Sequence, residues 1–127
     1  MKSLKKAFTL LEMLVVIGII AVLVGLGTVS FTTAQKKARD AKRKGDLSSV
    51  QKAFEQYYSI CGFDYPGSLG TSVTCANPNT EILNPVPTDP KDASSYVYTY
   101  DSAKRSFTLC ATLETETPAQ YCVSSQQ

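Results

Sequence analysis

The sequence predicts an α+β protein, in which a long N-terminal α-helix with a transmembrane first half packs on a small antiparallel β-sheet. Three observations predict this fold class. No charged residue occurs from Met13 to Gln35. Apolar residues then recur at three- and four-residue steps from Leu47 to Tyr57. Near the C-terminus, two short segments of aromatic and β-branched residues show strand-like alternation.

The first element is an almost wholly apolar segment, Met13–Phe31, which follows the short basic stretch MKSLKKA. As a helix, its nineteen residues rise about 28 Å, roughly the thickness of the hydrocarbon core of a bilayer. We therefore predict a membrane-spanning helix.

The helical pattern continues past this segment. Residues Leu47–Tyr57 form an apolar stripe suited to packing on a sheet, and we expect the Lys and Arg side chains to point elsewhere. Unbroken from Phe8 to about Ser59, the helix would be on the order of 75 Å long. The first proline is Pro66, so the helix is predicted to end just before it.

The remainder is predicted to be a connector and a small sheet. Residues 62–92 are rich in Gly, Pro, Asn, Ser and Thr, and the prolines of NPNTEILNPVPTDP exclude a helix or a central strand. Strands are predicted at Tyr96–Tyr100 and Ser106–Leu113, joined by the turn DSAKR, with a third around Tyr121–Ser124.

The cysteines indicate the compartment. There are four, and the chain has no histidine. An even cysteine count in a small domain behind a membrane segment favours disulfides in an oxidising compartment, and the alternative is four buried thiols in a cytosolic protein. Three connectivities are possible. We favour nearest neighbours, because each bridge then closes a short loop: Cys61–Cys75 and Cys110–Cys122.

Composition excludes several function classes. Without histidine there is no histidine-based catalytic triad and no histidine metal site. The only clustered glycines, in GLG at 25–27, lie inside the apolar segment and form no phosphate loop. We therefore expect no enzyme activity, no cofactor and no metal. Without the first seven residues, ten basic residues face eleven acidic ones, which argues against direct nucleic-acid binding.

A basic run follows the apolar segment. We interpret it as a solvated helix face or a contact with lipid head groups, with a DNA-binding stripe as the alternative. Because six basic residues follow the span and three precede it, the positive-inside rule would place the C-terminal domain in the cytoplasm, against the cysteines. The run comprises Lys36, Lys37, Arg39, Lys42, Arg43 and Lys44.

Two further groups are weaker candidates for sites. Asp89, Asp92 and Asp101 could supply oxygen ligands to calcium, although their spacing matches no EF-hand loop. Three tyrosines share one strand face, where packing is the favoured interpretation over ligand binding: Tyr96, Tyr98 and Tyr100.

The sharpest feature is Glu12, a carboxylate at the start of the apolar segment. Burying an acid in lipid costs a few kcal/mol, so such a residue usually has a partner. A cut between Ala7 and Phe8 would create an α-amino group one helical turn before Glu12. An amino group of this kind on a neighbouring copy could pair with Glu12 inside a hydrophobic helix bundle, where the ion pair is little screened.

The segment KKAFTLLEMLVVIGII resembles the class III leader and N-terminal helix of type IV pilins and pseudopilins. In that pattern a short basic leader ends in a small residue, followed by Phe-Thr-Leu-x-Glu and an apolar helix. Ala7 matches the last leader position, Phe8 the first mature residue, and Glu12 the acid of the motif. The positions between them are Thr9, Leu10 and Leu11.

The resemblance implies a pilin-like fold with a leader (1–7), a transmembrane and filament-core helix (8–31), and a globular part (32–127). It implies cleavage after Ala7 and N-methylation of Phe8, both by a membrane prepilin peptidase. It also implies that a cytoplasmic ATPase and an inner-membrane platform assemble the subunit into a homopolymer or mixed filament. The precursor would lie in the cytoplasmic membrane, with its globular domain extracytoplasmic.

The globular part adds to the resemblance, and two positions depart from it. PVPTDP followed by SYVYTYD is similar to a stretch of major pseudopilins and minimal pilins, and Cys110 and Cys122 bracket a pilin-like C-terminal loop. Ala7 stands where the family usually has Gly. Val29 stands where many pilins have a proline, and Gly25 and Gly27 are expected to provide the flexibility.

Other interpretations of the N-terminus remain. An ordinary secretory signal, cleaved near Thr33–Ala34, would have a shorter apolar stretch and no Glu12. The alternative function is a single-span membrane protein with a disulfide-bonded extracytoplasmic binding domain. Glu12 next to Phe-Thr-Leu distinguishes the filament hypothesis from both of these alternatives. The sequence does not distinguish a surface pilus, a DNA-uptake filament and a secretion pseudopilus from one another.

Overall fold

The computed structural model describes residues 8–103 and 105–127, without the side chains of residues 28–30. The predicted leader, including Ala7, lies outside the described residues, as does Lys104 of the predicted turn. One helix, α1 (Leu10–Ile60), precedes five strands: β1 (Val73–Ala76), β2 (Asn79–Leu83), β3 (Val97–Asp101), β4 (Ser106–Thr112) and β5 (Gln120–Ser124). The predicted α+β fold class, a long N-terminal helix with small antiparallel sheets, is confirmed.

The chain divides into two compact units, residues 1–35 and residues 36–127. The described part of the first unit is the apolar half of α1 with the few residues before it. The second unit contains the rest of α1 and all five strands.

The end of α1 follows from local sequence. Gly62 adopts a positive φ of 93°, which a residue without a Cβ tolerates, and the Phe63 N–H donates to the Tyr58 carbonyl at 3.0 Å. This bond from the residue after an αL glycine back across the last turn is a Schellman cap. The rings of Tyr58 and Phe63 also contact each other at 5.7 Å. The helix therefore stops before Pro66, as predicted.

Three strands form one antiparallel sheet in the order β3-β4-β5. Val97 lies opposite Cys110, and Cys110 lies opposite Cys122 in the next strand. These strands lie within one residue of the predicted segments at each end.

The connector prediction was wrong in part, because residues 62–92 contain the hairpin β1-β2. The prolines do not interrupt it: Pro78 lies in the turn between the two strands, and Pro85 comes after β2 ends at Leu83. A two-stranded hairpin has no central strand, so each proline can stand where no ladder hydrogen bond is needed.

The core of the second unit lies between α1 and the sheet. Leu47, Val50 and Phe54 of α1 are fully buried, and the Phe54 ring contacts that of Phe107 edge-on at 5.0 Å. Every second residue of β4 faces the same core, as period-two alternation requires. The predicted packing of the apolar stripe on a sheet is confirmed. The other buried core residues are Tyr65, Val73, Val86, Tyr96, Leu109 and Ala111.

The three tyrosines pack against this core, which confirms the packing interpretation. Their hydroxyls also find partners, as buried phenols usually do. Tyr96 donates to Asp46 Oδ2 at 2.7 Å, Tyr98 to the Pro66 carbonyl, and Tyr100 to Asp64 Oδ1 at 2.5 Å.

Candidate functional site

The N-terminus of α1 is capped by reciprocal hydrogen bonds between Thr9 and Glu12. The Glu12 N–H donates to Thr9 Oγ1 at 3.2 Å, and the Thr9 N–H donates to Glu12 Oε2 at 2.9 Å. The Thr9 hydroxyl donates to the same carboxylate oxygen at 2.9 Å. This is a capping box, in which threonine at the N-cap and glutamate three residues later satisfy backbone N–H groups that the helix cannot.

The capping role of Glu12 was missed in the sequence, although the Thr-x-x-Glu spacing before an apolar run is its signal. From the sequence, an amine was expected as the only partner of the carboxylate. In the structure, both bonds from Thr9 end on Oε2 and fix the orientation of the carboxylate at the helix start. The side chain thus has a structural task within its own chain.

The N-terminal half of α1 exposes its apolar side chains. Every large hydrophobic residue from Phe8 to Leu26 is exposed, from 47% at Val16 to 82% at Leu10. The described residues include one helix that is long and apolar enough to cross a membrane, with a mean hydropathy of 2.7 in its most apolar window. An apolar surface of this extent indicates a membrane or protein partner, because water does not cover it favourably.

A shallow apolar groove runs beside Gly18 on this surface. A Cβ added at Gly18 would meet nothing within 4 Å, so the missing side chain leaves room there. Small residues on apolar helices let a second helix approach closely. The groove of about 390 Å³ is lined by Leu14, Val15, Gly18, Ile19, Val22 and Leu23.

In the second unit, Arg43 is the centre of an ion cluster on the inner face of α1. Its guanidinium is 3% exposed and donates to both carboxylate oxygens of Asp89, at 2.6 and 3.0 Å. The Nη1 atom also donates to Asp40 at 2.8 Å and to Glu114 at 2.9 Å. A bidentate pair uses the planar fork of arginine, which lysine lacks.

Asp40, one turn before Arg43, holds the loop between β4 and β5. Asp40 is 1% exposed, and its carboxylate accepts hydrogen bonds from the backbone N–H groups of Glu114 and Thr115. The Thr115 hydroxyl donates to it at 2.7 Å. On the rim of the cluster, Arg39 makes a bidentate pair with Glu114, with both distances 2.7 Å.

The expectation that the Lys and Arg residues point away from the packed face was wrong for part of the basic run. Asp40 and Arg43 precede Leu47 by seven and four residues, so helical spacing puts all three on one face. Lys44 pairs with Glu116 at 2.6 Å. Lys36, Lys37 and Lys42 are exposed, as the solvated-face interpretation expects.

The electrostatics of the cluster favour ionised acids. Burial by itself would raise the pKa of Asp40, but hydrogen bonds from the Thr115 hydroxyl, two backbone N–H groups and Arg43 outweigh it and lower the pKa to about 2. Hydrogen bonds from Arg39, followed by those from Arg43, lower the pKa of Glu114 to about 2. The two hydrogen bonds from Arg43 likewise lower the pKa of Asp89.

The three candidate calcium ligands are otherwise engaged. Asp89 is paired with Arg43, Asp92 accepts the Ser94 N–H at 3.0 Å, and Asp101 accepts the Ala103 N–H at 3.0 Å. Among the described residues, no group of three or more His, Cys, Asp or Glu side chains could hold a metal ion. A guanidinium therefore takes the place that a cation could have beside Asp89.

The four cysteines form two disulfides, Cys61–Cys75 and Cys110–Cys122, which is the nearest-neighbour pairing. The first joins the residue after α1 to β1, where Cys75 is buried. The second joins directly opposed residues of β4 and β5, and Cys122 is exposed.

We predict that acid weakens the second unit through this cluster. The folded-state pKa values of Asp40 and Glu114, about 2, lie below their ordinary values of 3.8 and 4.5. Their stabilisation is therefore present above about pH 4.5 and lost as the pH falls towards 2. Thermal unfolding of the full chain in mild detergent, followed by circular dichroism between pH 7 and 2, measures this loss.

The variant Asp40→Asn should lower the free energy of unfolding at pH 7 by roughly 1.5–3 kcal/mol, because hydrogen bonds to a charged group are lost. It should also reduce the loss of unfolding free energy between pH 4.5 and pH 2. The exposed control Asp92→Asn should change the stability at pH 7 little. An acid decline as steep in Asp40→Asn as in the unmodified protein would contradict this assignment.

We also predict that calcium does not stabilise the fold. Since Asp89 is paired with Arg43, the unfolding temperature should be the same in millimolar calcium and in excess chelator. The control is Arg43→Gln, which removes the guanidinium beside Asp89. A lower unfolding temperature of this variant would show that the assay detects the loss of a positive charge at this position. A fall of several degrees on chelation in the unmodified protein would disprove the prediction.

Comparison with known proteins adds one match, and it falls on the capped apolar helix. Residues 2–28 match the family described as the prokaryotic N-terminal methylation motif. No curated protein and no solved structure matches the chain. The matched residues include the capping pair Thr9 and Glu12 and most of the exposed apolar helix. Residues 2–28 thus carry the prokaryotic N-terminal methylation motif, on the capped start and the apolar first half of α1.

Proposed function

We propose that this protein is a structural subunit of a type IV pilus or a related filament. It is made as a single-span membrane precursor, cleaved between Ala7 and Phe8 by a prepilin peptidase, and methylated on the new amino group of Phe8. It then polymerises through its N-terminal helix. The observation that carries the proposal is the methylation motif at residues 2–28, placed at the start of a helix with an exposed apolar surface.

The exposed surface suits two successive environments. Before assembly, the membrane surrounds this apolar part of the helix, residues 8–31. After assembly, the same side chains pack against helices of neighbouring subunits, and the groove beside Gly18 receives a side chain from one of them. Lipid tails are as apolar as leucine, so the transfer depends on packing and polar contacts rather than on hydrophobic burial.

Glu12 supplies the polar contact. Thr9 holds Oε2 of the carboxylate, and we assign Oε1 to the methylated amino group of Phe8 on a neighbouring copy. Inside a bundle of apolar helices such a pair is weakly screened, and each subunit offers one acid and one amine. The pairing sets the axial register between copies, because any other register would leave both charges without a partner.

The second unit, residues 36–127, supplies the exposed part of the filament. Its ion cluster attaches the first turns of this part of α1 to the loops that contain Asp89 and Glu114. Its two disulfides form in the oxidising space outside the cytoplasmic membrane. The role is structural rather than catalytic, and the partners are other pilin subunits, the prepilin peptidase and the inner-membrane assembly platform.

The first prediction concerns processing. The intact mass of the protein from its native host should correspond to residues 8–127 plus one methyl group, with both disulfides formed. A strain without the prepilin peptidase is the control and should yield the full chain. A native protein that still begins at Met1 would contradict the proposal and favour a single-span membrane protein with an extracytoplasmic binding domain.

The second prediction separates the two tasks of Glu12. Glutamine also completes a capping box, so Glu12→Gln keeps the helix start but removes the charge. Both Glu12→Gln and Glu12→Leu should insert in the membrane and be cleaved, yet form no filaments by electron microscopy. The matched control is Glu81→Gln, an exposed acid of the second unit, which should assemble normally. Abundant filaments from Glu12→Gln would refute charge pairing and leave capping as the sole role.

A further inference from the structure

The basic run divides into side chains that the fold neutralises and side chains that it does not. Arg39, Arg43 and Lys44 pair with carboxylates of the second unit. Lys36 and Lys37 are exposed, and none of the ion pairs among the described residues includes them. They are also the first charged residues after the uncharged segment Met13–Gln35.

We propose that Lys36 and Lys37 bind the phosphate groups of anionic phospholipids in the leaflet from which the helix emerges. The occupant is a lipid surface, because these two lysines follow directly on the membrane-spanning segment in the same helix. Their charge complements the phosphates of that surface. The contact needs only the membrane stage of the subunit and not its polymerisation.

The axial position of the two lysines fits this contact. The 23 residues from Met13 to Gln35 rise about 34 Å as a helix, slightly more than the ~30 Å hydrocarbon core. Lys36 and Lys37 therefore lie at the level where the hydrocarbon core ends and the head groups start. Consecutive helical residues point about 100° apart, so the two ammonium groups reach lipids on different sides of the helix.

Two neighbours support this placement. Phe31 is exposed and is the last large apolar side chain before Lys36, so apolar surface reaches to about 7.5 Å from Lys36 along the helix. Lys42 lies about 9 Å beyond Lys36, past most of the head-group layer, so we do not include it in the contact. Arg39 lies between them but is already paired with Glu114.

A consequence follows that rests on the proposed function. Cleavage after Ala7 removes Lys2, Lys5 and Lys6, the lysines that precede the span. The basic residues nearest the mature span are then Lys36 and Lys37. Carrying a lysine through the bilayer is unfavourable, so these two lysines oppose movement of the mature helix away from the side of its globular unit.

The test uses the unprocessed full chain in lipid nanodiscs, which leave both membrane faces accessible. The discs contain either phosphatidylcholine alone or phosphatidylcholine with phosphatidylglycerol. An amine-reactive reagent labels the lysines, and mass spectrometry gives the labelling rate at each one. Lys36 and Lys37 should label about fivefold more slowly in the anionic discs, from the usual strength of one basic residue at an anionic surface. Half-molar salt should remove the difference.

Lys52 and Lys91 are exposed lysines of the second unit and serve as internal controls, with labelling rates that should not depend on the lipid. Native mass spectrometry should show that Lys36→Gln with Lys37→Gln binds fewer phosphatidylglycerol molecules than the unmodified chain, with only Lys2, Lys5 and Lys6 left beside the span. The variant Lys52→Gln with Lys91→Gln should keep the full number. Equal labelling of Lys36 and Lys37 in both discs would overturn the proposal, and so would equal protection of Lys52 and Lys91. Because the chain is uncleaved and unassembled, these outcomes do not depend on whether it forms filaments.

Discussion

A hydrophobic surface that must always be covered is the constraint on which this protein depends. The side chains from Phe8 to Leu26 are exposed on a helix of bilayer length, and Glu12 is the single charge near its start. Lipid can cover the apolar side chains, but it offers no partner to a carboxylate. The capping bonds from Thr9 reduce that mismatch within the chain, and the proposed amine of a neighbouring copy removes it on assembly.

The second half of the same helix packs against the sheet and loops of the second unit. From Asp40 to Phe54 its inner face changes from ionic to apolar, with every named contact made inside residues 36–127. Asp40 accepts backbone N–H groups of the β4–β5 loop, and Arg43 joins that loop to Asp89. Because each buried charge has a partner of opposite sign, this end of the core avoids the cost of an unpaired ion. The disulfides supplement the modest core that a domain of this size can bury.

Much of the fold and of the N-terminal site could be predicted from the sequence because the signals are local. The helix is specified by an uncharged apolar segment of bilayer length that starts after Glu12, by the apolar stripe from Leu47 to Tyr57, and by the absence of proline before Pro66. The alternation around Tyr98 and Phe107 specifies the strands to within one residue. Thr9 and Glu12 also contained the capping signal, which needs no tertiary structure.

Only the tertiary structure decided what the charges after the span do. Arg43 and Asp89 are separated by 46 residues and Asp40 and Thr115 by 75, so periodicity within the helix cannot pair them. The β1–β2 hairpin was also missed in the sequence. Its prolines lie just outside the strands, but in the sequence they look like interruptions of a single segment. Sequence thus determined where the helix starts, spans and ends, since each depends on neighbours a few residues away. The fold decided which basic residues pair with acids and which, like Lys36 and Lys37, stay exposed outside the ion pairs of the described residues, since that depends on the acids that folding brings to them.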